Sequence, residues 1–147
     1  MDIKIIKAQA IHLDDILIIE NLSFKIPWSM QSLNDEIIKN DFAYYICAYY
    51  GERVVGYAGM WHVCDEGHIT NIAVHPEFRG NGAGSAMMEG LISVARERCI
   101  EGLTLEVRKS NVQAIALYKK YGFENGGLRK AYYADNNEDA IIMWKRL

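Results

Sequence analysis

The sequence predicts a mixed α/β fold, a mostly antiparallel sheet of about seven strands flanked by helices. From residue 68 onward, strand-like runs alternate with stretches of helical spacing, so some strands should pair in parallel. Before residue 68, strand-like runs follow one another across short turns, which favours antiparallel pairing. With 147 residues, half of them hydrophobic, we expect a single domain over residues 1–147 with one well-buried core.

The first half supplies the antiparallel strands and two helices. Apolar alternation predicts a strand at residues 3–7, and Leu13–Leu22 combines helical spacing with two aspartates in the first turn. Ser29, just after Pro27, is a suitable N-cap for a helix that runs to about Lys39. Three strand-like runs follow, the first two joined by a glycine turn: Tyr44–Tyr50, Val54–Val63 and His68–Val74.

The second half changes to alternating helices and strands. One apolar stripe at helical spacing predicts a helix over Gly84–Arg98, and a second predicts one over Asn111–Tyr121 that a glycine ends. Three strands complete the prediction: Leu103–Val107, Gly126–Ala134 and Ala140–Arg146.

Composition excludes several classes of protein. The net charge of −3 disfavours a broad nucleic-acid-binding face. No apolar run approaches the ~20 residues of a membrane span, and the first residues lack a signal peptide's apolar core, so a cytoplasmic protein is expected. Three widely spaced cysteines predict buried, inert thiols, and the histidines show no metal-ligand spacing, so we expect no metal. A monomer is the default expectation.

The most informative segment is a glycine-rich turn between a strand and a helix. Gly80, Gly82 and Gly84 lie within five residues, directly after Arg79. Glycines leave the backbone N–H groups accessible to a ligand, and the helix N-terminus adds partial positive charge, an arrangement that suits a pyrophosphate. The alternative is a merely flexible connection. The segment matches neither the P-loop pattern nor the dinucleotide fingerprint.

The turn fits the pattern Gln/Arg-x-x-Gly-x-Gly/Ala from Arg79 to Gly84. This pattern resembles the acyl-CoA pyrophosphate loop of the GNAT acetyltransferases. Further stretches at family-like spacing make the chain similar to the RimI group, which acetylates ribosomal proteins at their N-termini. Those stretches are Pro27–Ser29, Asn71–Val74, Leu105–Arg108, Ser110–Asn111, Ala114–Tyr118, Tyr121–Phe123, Tyr132–Tyr133 and Glu138–Met143.

The resemblance implies acetyl-CoA as the acetyl donor and a set of residues that bind it. In the family, the end of the strand before the loop pairs with the pantetheine, and its last N–H is a candidate oxyanion donor. Asn111 matches a residue that binds the CoA arm, although a plain helix N-cap is an equal alternative. The implied donor-binding set is Ile72, Ala73, Val74, Arg79, Gly80, Asn81, Gly82, Ala83, Gly84, Ser85, Asn111 and Tyr118.

Two residues are implied as catalytic. Strand alternation places Glu106 on the face opposite the apolar residues at 103, 105 and 107. The resemblance makes Glu106 the general base; the alternative is a solvated carboxylate paired with Arg108. Tyr118 is implied as the general acid that protonates the CoA thiolate, with core packing as the alternative and both compatible.

The resemblance also implies a slot for a peptide N-terminus walled by Trp28, Ser29, Tyr132 and Tyr133. The implied acceptor is the N-terminal alanine of the eighteenth protein of the small ribosomal subunit. Acidic residues at 135, 138 and 139 either favour a basic segment behind that alanine or form a solvated loop. Two further functions stay open: acetylation of a small-molecule amine, and an idle module that only binds acyl-CoA.

Overall fold

The computed structural model describes residues 2–147, and the elements expected from the sequence are recognisable in it. Within this range there are four α-helices and seven strands. In chain order they are β1 Ile3–Lys7, α1 Leu13–Ser23, α2 Met30–Asn34, β2 Ala43–Tyr50, β3 Arg53–Val63, β4 Glu66–Val74, α3 Ala83–Glu97, β5 Gly102–Arg108, α4 Val112–Lys120, β6 Glu124–Arg129 and β7 Ala140–Arg146.

All seven strands of residues 2–147 join one sheet in the order β1-β2-β3-β4-β5-β7-β6. The β4–β5 pair is parallel, and the other neighbours are antiparallel. The predicted mixed sheet with parallel pairing is therefore confirmed. α3 provides the crossover that parallel neighbours require, because it connects β4 to β5 across one face of the sheet.

Helices cover both faces of the sheet. On one face, Met87, Met88 and Leu91 of α3 and Tyr118 of α4 are buried against the central strands. On the other face, α1 and α2 pack on Tyr45 and Tyr57 through apolar residues that include Ile16, Ile19 and Leu33. Both faces therefore contribute core, and a side chain on any central strand points into one of two distinct helical layers.

The middle of β4 contains a bulge that changes which face each residue occupies. Gly59 pairs with Asn71 while the next residue, Met60, pairs with Ile69, so Thr70 is the extra residue. The Tyr45 hydroxyl contacts the side chains of both Thr70 and Asn71, which therefore point to the same side. Beyond the bulge, Ala73 joins the α1 layer although Ile69 joins the α3 layer.

β4 and β5 separate beyond this point. Their parallel pairing ends at Ile69 and Leu105, although β4 continues to Val74 and β5 to Arg108. The two strand ends diverge and open the sheet between its two helical layers. This opening positions the candidate site.

One prediction about the elements is confirmed in extent, and another is wrong in part. The last helix turn before β2, Asp35–Lys39, has π-helical hydrogen bonding and continues α2 to the predicted end at Lys39. The strand predicted over Gly126–Ala134 instead spans Glu124–Arg129. It ends there because Ala131 has φ +52° and donates its N–H to Asp139, which turns the chain.

The prediction that all three cysteines are buried is also wrong. Cys47 is buried in β2, but Cys64 and Cys99 are exposed. Cys64 and Cys99 both have positive φ angles, +53° and +58°, because they lie at turns rather than on the apolar faces of the neighbouring elements. No helix in residues 2–147 has the length and apolar character to cross a membrane.

Candidate active site

A cavity of about 610 Å³ opens where β4 and β5 separate. Its walls come from the two diverging strands, the end of α1 with the segment that follows it, α4 and the loop after β6. Seven of the residues predicted as site residues line it: Trp28, Ile72, Glu106, Asn111, Tyr118, Tyr132 and Tyr133. The other predicted residues, Ser29, Ala73, Val74 and the segment Arg79–Ser85, lie outside this lining.

Glu106 is held by two basic side chains. Its side chain is 12% exposed, and Oε2 lies 2.6 Å from Nε2 of His68 on the neighbouring strand. Arg129 of β6 donates from Nε to Oε1 over 3.3 Å. The pairing with Arg108 that the sequence left open is not formed, and Arg108 instead contacts Asp135 at 2.8 Å. Glu106 is thus an oriented carboxylate at the cavity wall.

Tyr118 belongs to the helical layer on the other face of the sheet from Glu106, but it lines the same cavity. It is buried among the apolar residues of the α3 and α4 layer, and it also lines the opening. Burial raises the pKa of Tyr118 to about 12, with a smaller contribution from the nearby Tyr133. Its hydroxyl is therefore protonated throughout the neutral range and can act as a proton donor. Core packing and access to the cavity are both observed.

The glycine-rich turn has the backbone conformation expected of an anion cradle. Gly80 and Gly82 have φ angles of +81° and +89°, and a Cβ at either position would meet nothing within 4 Å. Since the first helical bond of α3 runs from Ala86 N–H to the Gly82 carbonyl, the N–H groups just before it stand free at the helix mouth. Arg79 donates from Nε to the Val74 carbonyl over 3.1 Å, which ties the turn to the end of β4.

Two predicted site residues act as helix caps. The Asn111 side chain accepts from the Ala114 N–H at 3.2 Å, and the Ser29 hydroxyl accepts from the Ser32 N–H at 3.1 Å. The cap that the sequence predicted at Ser29 is confirmed. Asn111 both caps α4 and lines the cavity, so its two predicted uses are compatible.

The wall near Trp28 is anchored by a buried carboxylate. Glu20 of α1 is 2% exposed and accepts the Trp28 backbone N–H at 2.9 Å. Its other oxygen accepts from the Tyr57 hydroxyl. Burial raises the pKa of Tyr57 well above its ordinary value, so this hydroxyl remains a donor. Glu20 therefore fixes the chain entering α2 against the sheet.

The opposite wall is organised around Arg108. Its guanidinium lies 4.0 Å from the centre of the Tyr133 ring and pairs with Asp135 and Glu138. Hydrogen bonds from Ser110 hold the pKa of Glu138 below its ordinary value. The acidic residues of this loop are consequently used to hold it in place, in contrast to the solvated loop considered above.

Comparison with known proteins decides the family. The model of the GNAT acetyltransferase family matches residues 13–123, most of the chain. The chain belongs to the GNAT acetyltransferase family. It is an acetyl-CoA-dependent N-acetyltransferase.

The chain is similar to proteins that act on ribosomal protein bS18. It is 42% identical over 132 residues to a Bacillus subtilis protein provisionally named ribosomal protein bS18-alanine N-acetyltransferase, covering 90% of this chain and 87% of that protein. The Escherichia coli enzyme of the same name is 35% identical over 136 residues, covering 85% and 84%. The crystal structure of the Escherichia coli enzyme superimposes with a TM-score of 0.90 at 32% identity, covering 99% of this chain and 94% of that one.

The free N–H groups at the N-terminus of α3 lead to a prediction for Gly82. Gly82→Ala should destabilise the fold by about 1–2 kcal/mol, because a residue with a Cβ disfavours positive φ. It should also weaken acetyl-CoA binding by about fivefold or more, or roughly 1 kcal/mol, because the new methyl group takes up space in the proposed pyrophosphate site. Calorimetric titration with acetyl-CoA measures the second effect.

Gly51→Ala is the matched control for Gly82→Ala. Gly51 has φ +59° in the turn between β2 and β3, also with open space around it. Its variant should lose similar stability but bind acetyl-CoA like the wild type. Equal affinities for the two variants would remove the glycine-rich turn from the donor site.

Sequence reasoning missed three side chains of this site. His68 and Arg129 contact Glu106 from 38 and 23 positions away, and Glu20 meets Tyr57 from 37 positions away. Strand order and register bring His68 and Arg129 to Glu106, and the packing of α1 on the sheet brings Glu20 to Tyr57. The one available signal was the odd placement of His68 between apolar strand residues, one strand away from a motif carboxylate.

Proposed function

We propose that the chain acetylates the α-amino group of a protein N-terminus, with the N-terminal alanine of ribosomal protein bS18 as its acceptor. One observation carries this proposal: the opening between β4 and β5 joins the carboxylate of Glu106 and the hydroxyl of Tyr118 in one cavity beside an aromatic wall. The names of the two relatives described above support the choice of acceptor. We propose further that the chain acts in the cytoplasm, as a single domain and a monomer.

An α-amino acceptor matches the modest base that the site offers. An amine attacks a thioester only as the free base. At pH 7, deprotonation costs about 1.4 kcal/mol for an α-amino group of pKa ~8 but about 4.6 kcal/mol for a lysine of pKa ~10.4. Acid–base catalysis by one carboxylate is worth roughly 10²–10⁴ in rate. It therefore offsets the deprotonation of an α-amino group more easily than that of a lysine.

The residues around the glycine-rich turn fit acetyl-CoA. The positive φ angles and open space at Gly80 and Gly82, with the free N–H groups before Ala86, suit a pyrophosphate. The exposed edge of β4 from Ile72 to Val74, beyond the end of its pairing with β5, can pair with an extended ligand arm. Acetyl-CoA, when bound, supplies the thioester on which a deprotonated amine forms the amide.

Proton transfer is divided between the two walls of the cavity. Glu106 provides the carboxylate of the general base, and Tyr118 donates a proton to the departing sulfur. A thiol pKa of ~8.5 makes that sulfur a tolerable leaving group without help, so the base should contribute more than the acid. The Val74 N–H is our candidate donor to the developing oxyanion.

The acceptor wall suits a peptide end. Trp28 and Tyr132 supply aromatic surface, and Tyr133 is braced by Arg108. The buried carboxylate of Glu20 contributes negative charge to the same cavity and favours a cationic acceptor. We include Ser29 in this wall through its backbone, since its hydroxyl caps α2.

Two short basic peptides test the proposal. One has a free N-terminal alanine and no lysine, and the other has a blocked N-terminus and one lysine. Incubation with acetyl-CoA, followed by mass spectrometry of the site, should show acetylation of the first peptide alone. Acetylation of the lysine peptide alone, or of neither peptide while acetyl-CoA still binds, would contradict an N-terminal acceptor.

Tyr118→Phe should lower kcat by about tenfold or less, which is a smaller loss than that expected for Glu106→Gln. The thiolate can depart without protonation, and the phenylalanine ring preserves the packing against Phe123. Because the pKa of Tyr118 is about 12, any alkaline loss of activity below pH 10 should be the same in wild type and variant. A loss equal to that of Glu106→Gln would overturn the division of roles.

A further inference from the structure

We propose that His68 is a further catalytic residue, which removes the acceptor proton while Glu106 holds its imidazole. The inference rests on the proposed function and refines the role of its base. It starts from the contact of 2.6 Å between Nε2 of His68 and Oε2 of Glu106 in the cavity wall. A carboxylate beside an imidazole in this way is the base-and-orienter arrangement of acyl-transfer enzymes.

The contact determines the tautomer of His68. An ionised carboxylate only accepts hydrogen bonds, so the hydrogen between the two groups lies on Nε2. Neutral imidazole then carries its lone pair on Nδ1, which takes no part in that contact. Both oxygens of Glu106 are meanwhile engaged, Oε2 by His68 and Oε1 by Arg129 at 3.3 Å. Nδ1 therefore offers a lone pair for the acceptor proton, while each oxygen of Glu106 already accepts one hydrogen bond.

His68 and Glu106 also differ in how far their side chains are exposed to solvent. The side chain of Glu106 is 12% exposed, whereas that of His68 is 37% exposed. A base that turns over must return its proton to solvent after each cycle, and His68 has the open path. Imidazole also has an ordinary pKa of ~6.5, closer to neutrality than a carboxyl group at ~4.3, and a base works best near the operating pH.

The acceptor ammonium loses two protons in the reaction, and His68 takes the first. One N–H bond of the acceptor ammonium breaks, its proton passes to Nδ1 of His68, and the electron pair stays on the acceptor nitrogen. The resulting imidazolium keeps its Nε2–H on the carboxylate of Glu106, which compensates the new positive charge. The imidazolium then releases the proton to water through its exposed edge, and the dyad returns to its starting state. The second proton leaves the nitrogen as the C–N bond forms and the C–S bond breaks, and it balances the proton that Tyr118 gives to the departing sulfur.

Other charged groups surround the pair formed by His68 and Glu106. Arg129 acts on Glu106 directly. Further charged or ionisable groups line the same cavity: Glu20, Lys25, Arg108, Asp135, Tyr118, Tyr132 and Tyr133. Trp61 pairs with His68 across β3 and β4 and donates its indole N–H to Glu36. For this reason the test compares profiles within one protein background.

The test is the pH dependence of kcat at saturating acetyl-CoA and acceptor, for wild type and His68→Gln. The glutamine amide can still donate to Glu106 but does not titrate. We expect an acid limb in the imidazole range for the wild type. For the variant we expect a fall in kcat of about 10²–10⁴ and the loss of that limb. Imidazole added to His68→Ala should restore part of the rate.

The proposal would be overturned if the acid limb of the kcat profile persisted in His68→Gln, whatever the rate of that variant. It would also be overturned if the wild-type profile had no such limb. His62→Gln is the control, because His62 lies on β3 outside the cavity and contacts the Cys64 carbonyl. Urea unfolding and acetyl-CoA affinity check that each variant folds. The pH profile is measured with whichever amine the wild type acetylates. If the proposed acceptor is wrong, the identity of the acetylated product shows it, and the comparison of His68→Gln with the wild type still tests the role of His68.

Discussion

Glu106→Gln should lower kcat by about 10²–10⁴ while acetyl-CoA binding stays within about twofold of the wild type. The amide has nearly the same size and can still accept a hydrogen bond from His68, so the fold and the cavity should survive. It cannot carry the negative charge that proton removal requires, either directly or through the imidazole. Single-turnover kinetics at saturating acceptor, with calorimetric titration of acetyl-CoA, separate these two effects.

Glu66→Gln provides the matched control for Glu106→Gln. Glu66 is exposed at the opposite end of the same strand pair, where β4 begins beside Gly102 of β5. Its variant should keep the wild-type rate. If Glu106→Gln kept more than about a third of the wild-type rate, the carboxylate would have no role in proton transfer, and the cavity would have to work through another group.

Glu20→Ala should lower the free energy of unfolding by about 2–5 kcal/mol. The substitution leaves two donors without a partner, the buried Tyr57 hydroxyl and the half-buried Trp28 N–H, at about 1–3 kcal/mol each. A loss of this size is a large part of the ~5–15 kcal/mol that holds a typical domain together. Urea unfolding at pH 7, with the slope checked for two-state behaviour, measures it.

Glu20→Gln separates the hydrogen bonds of Glu20 from its charge. The amide oxygen can still accept from Trp28, and only the Tyr57 hydroxyl loses its acceptor, so stability should fall by about 1–3 kcal/mol, less than in Glu20→Ala. The acceptor KM should also rise, because the cavity loses a negative charge. If Glu20→Ala were as stable as Glu20→Gln, the contact to Trp28 would not hold the acceptor wall.

Local patterns predicted much of this molecule from its sequence. The apolar stripes of α3 and α4, the turn at Gly51 and the strand at Ala140–Arg146 all depend on neighbours within a few residues. The glycine-rich turn was recognisable for the same reason, since its positive φ angles are a local requirement. Strand alternation was enough to place Glu106 on the face opposite its apolar neighbours.

What depended on distant parts of the chain could not be predicted in this way. The bulge at Thr70 changes the face of every later residue of β4, yet nothing in the local pattern marks it. The partners of Glu106 come from β4 and β6, which lie on different sides of β5 in the sheet order. Tyr132 and Tyr133 favour a strand by composition, but the turn at Ala131 takes them into the loop after β6 that lines the cavity.

The most direct test of the proposed acceptor uses the whole ribosomal protein. Ribosomal protein bS18 of Bacillus subtilis, made without its N-terminal acetyl group, would be incubated with the enzyme and acetyl-CoA and examined by intact mass and peptide mapping. We expect one acetyl group, on the α-amino group of the N-terminal alanine, and none when Glu106→Gln replaces the wild type on the same timescale. Acetyl groups on lysine side chains, or an unmodified N-terminus while a small amine in the same tube is acetylated, would contradict it.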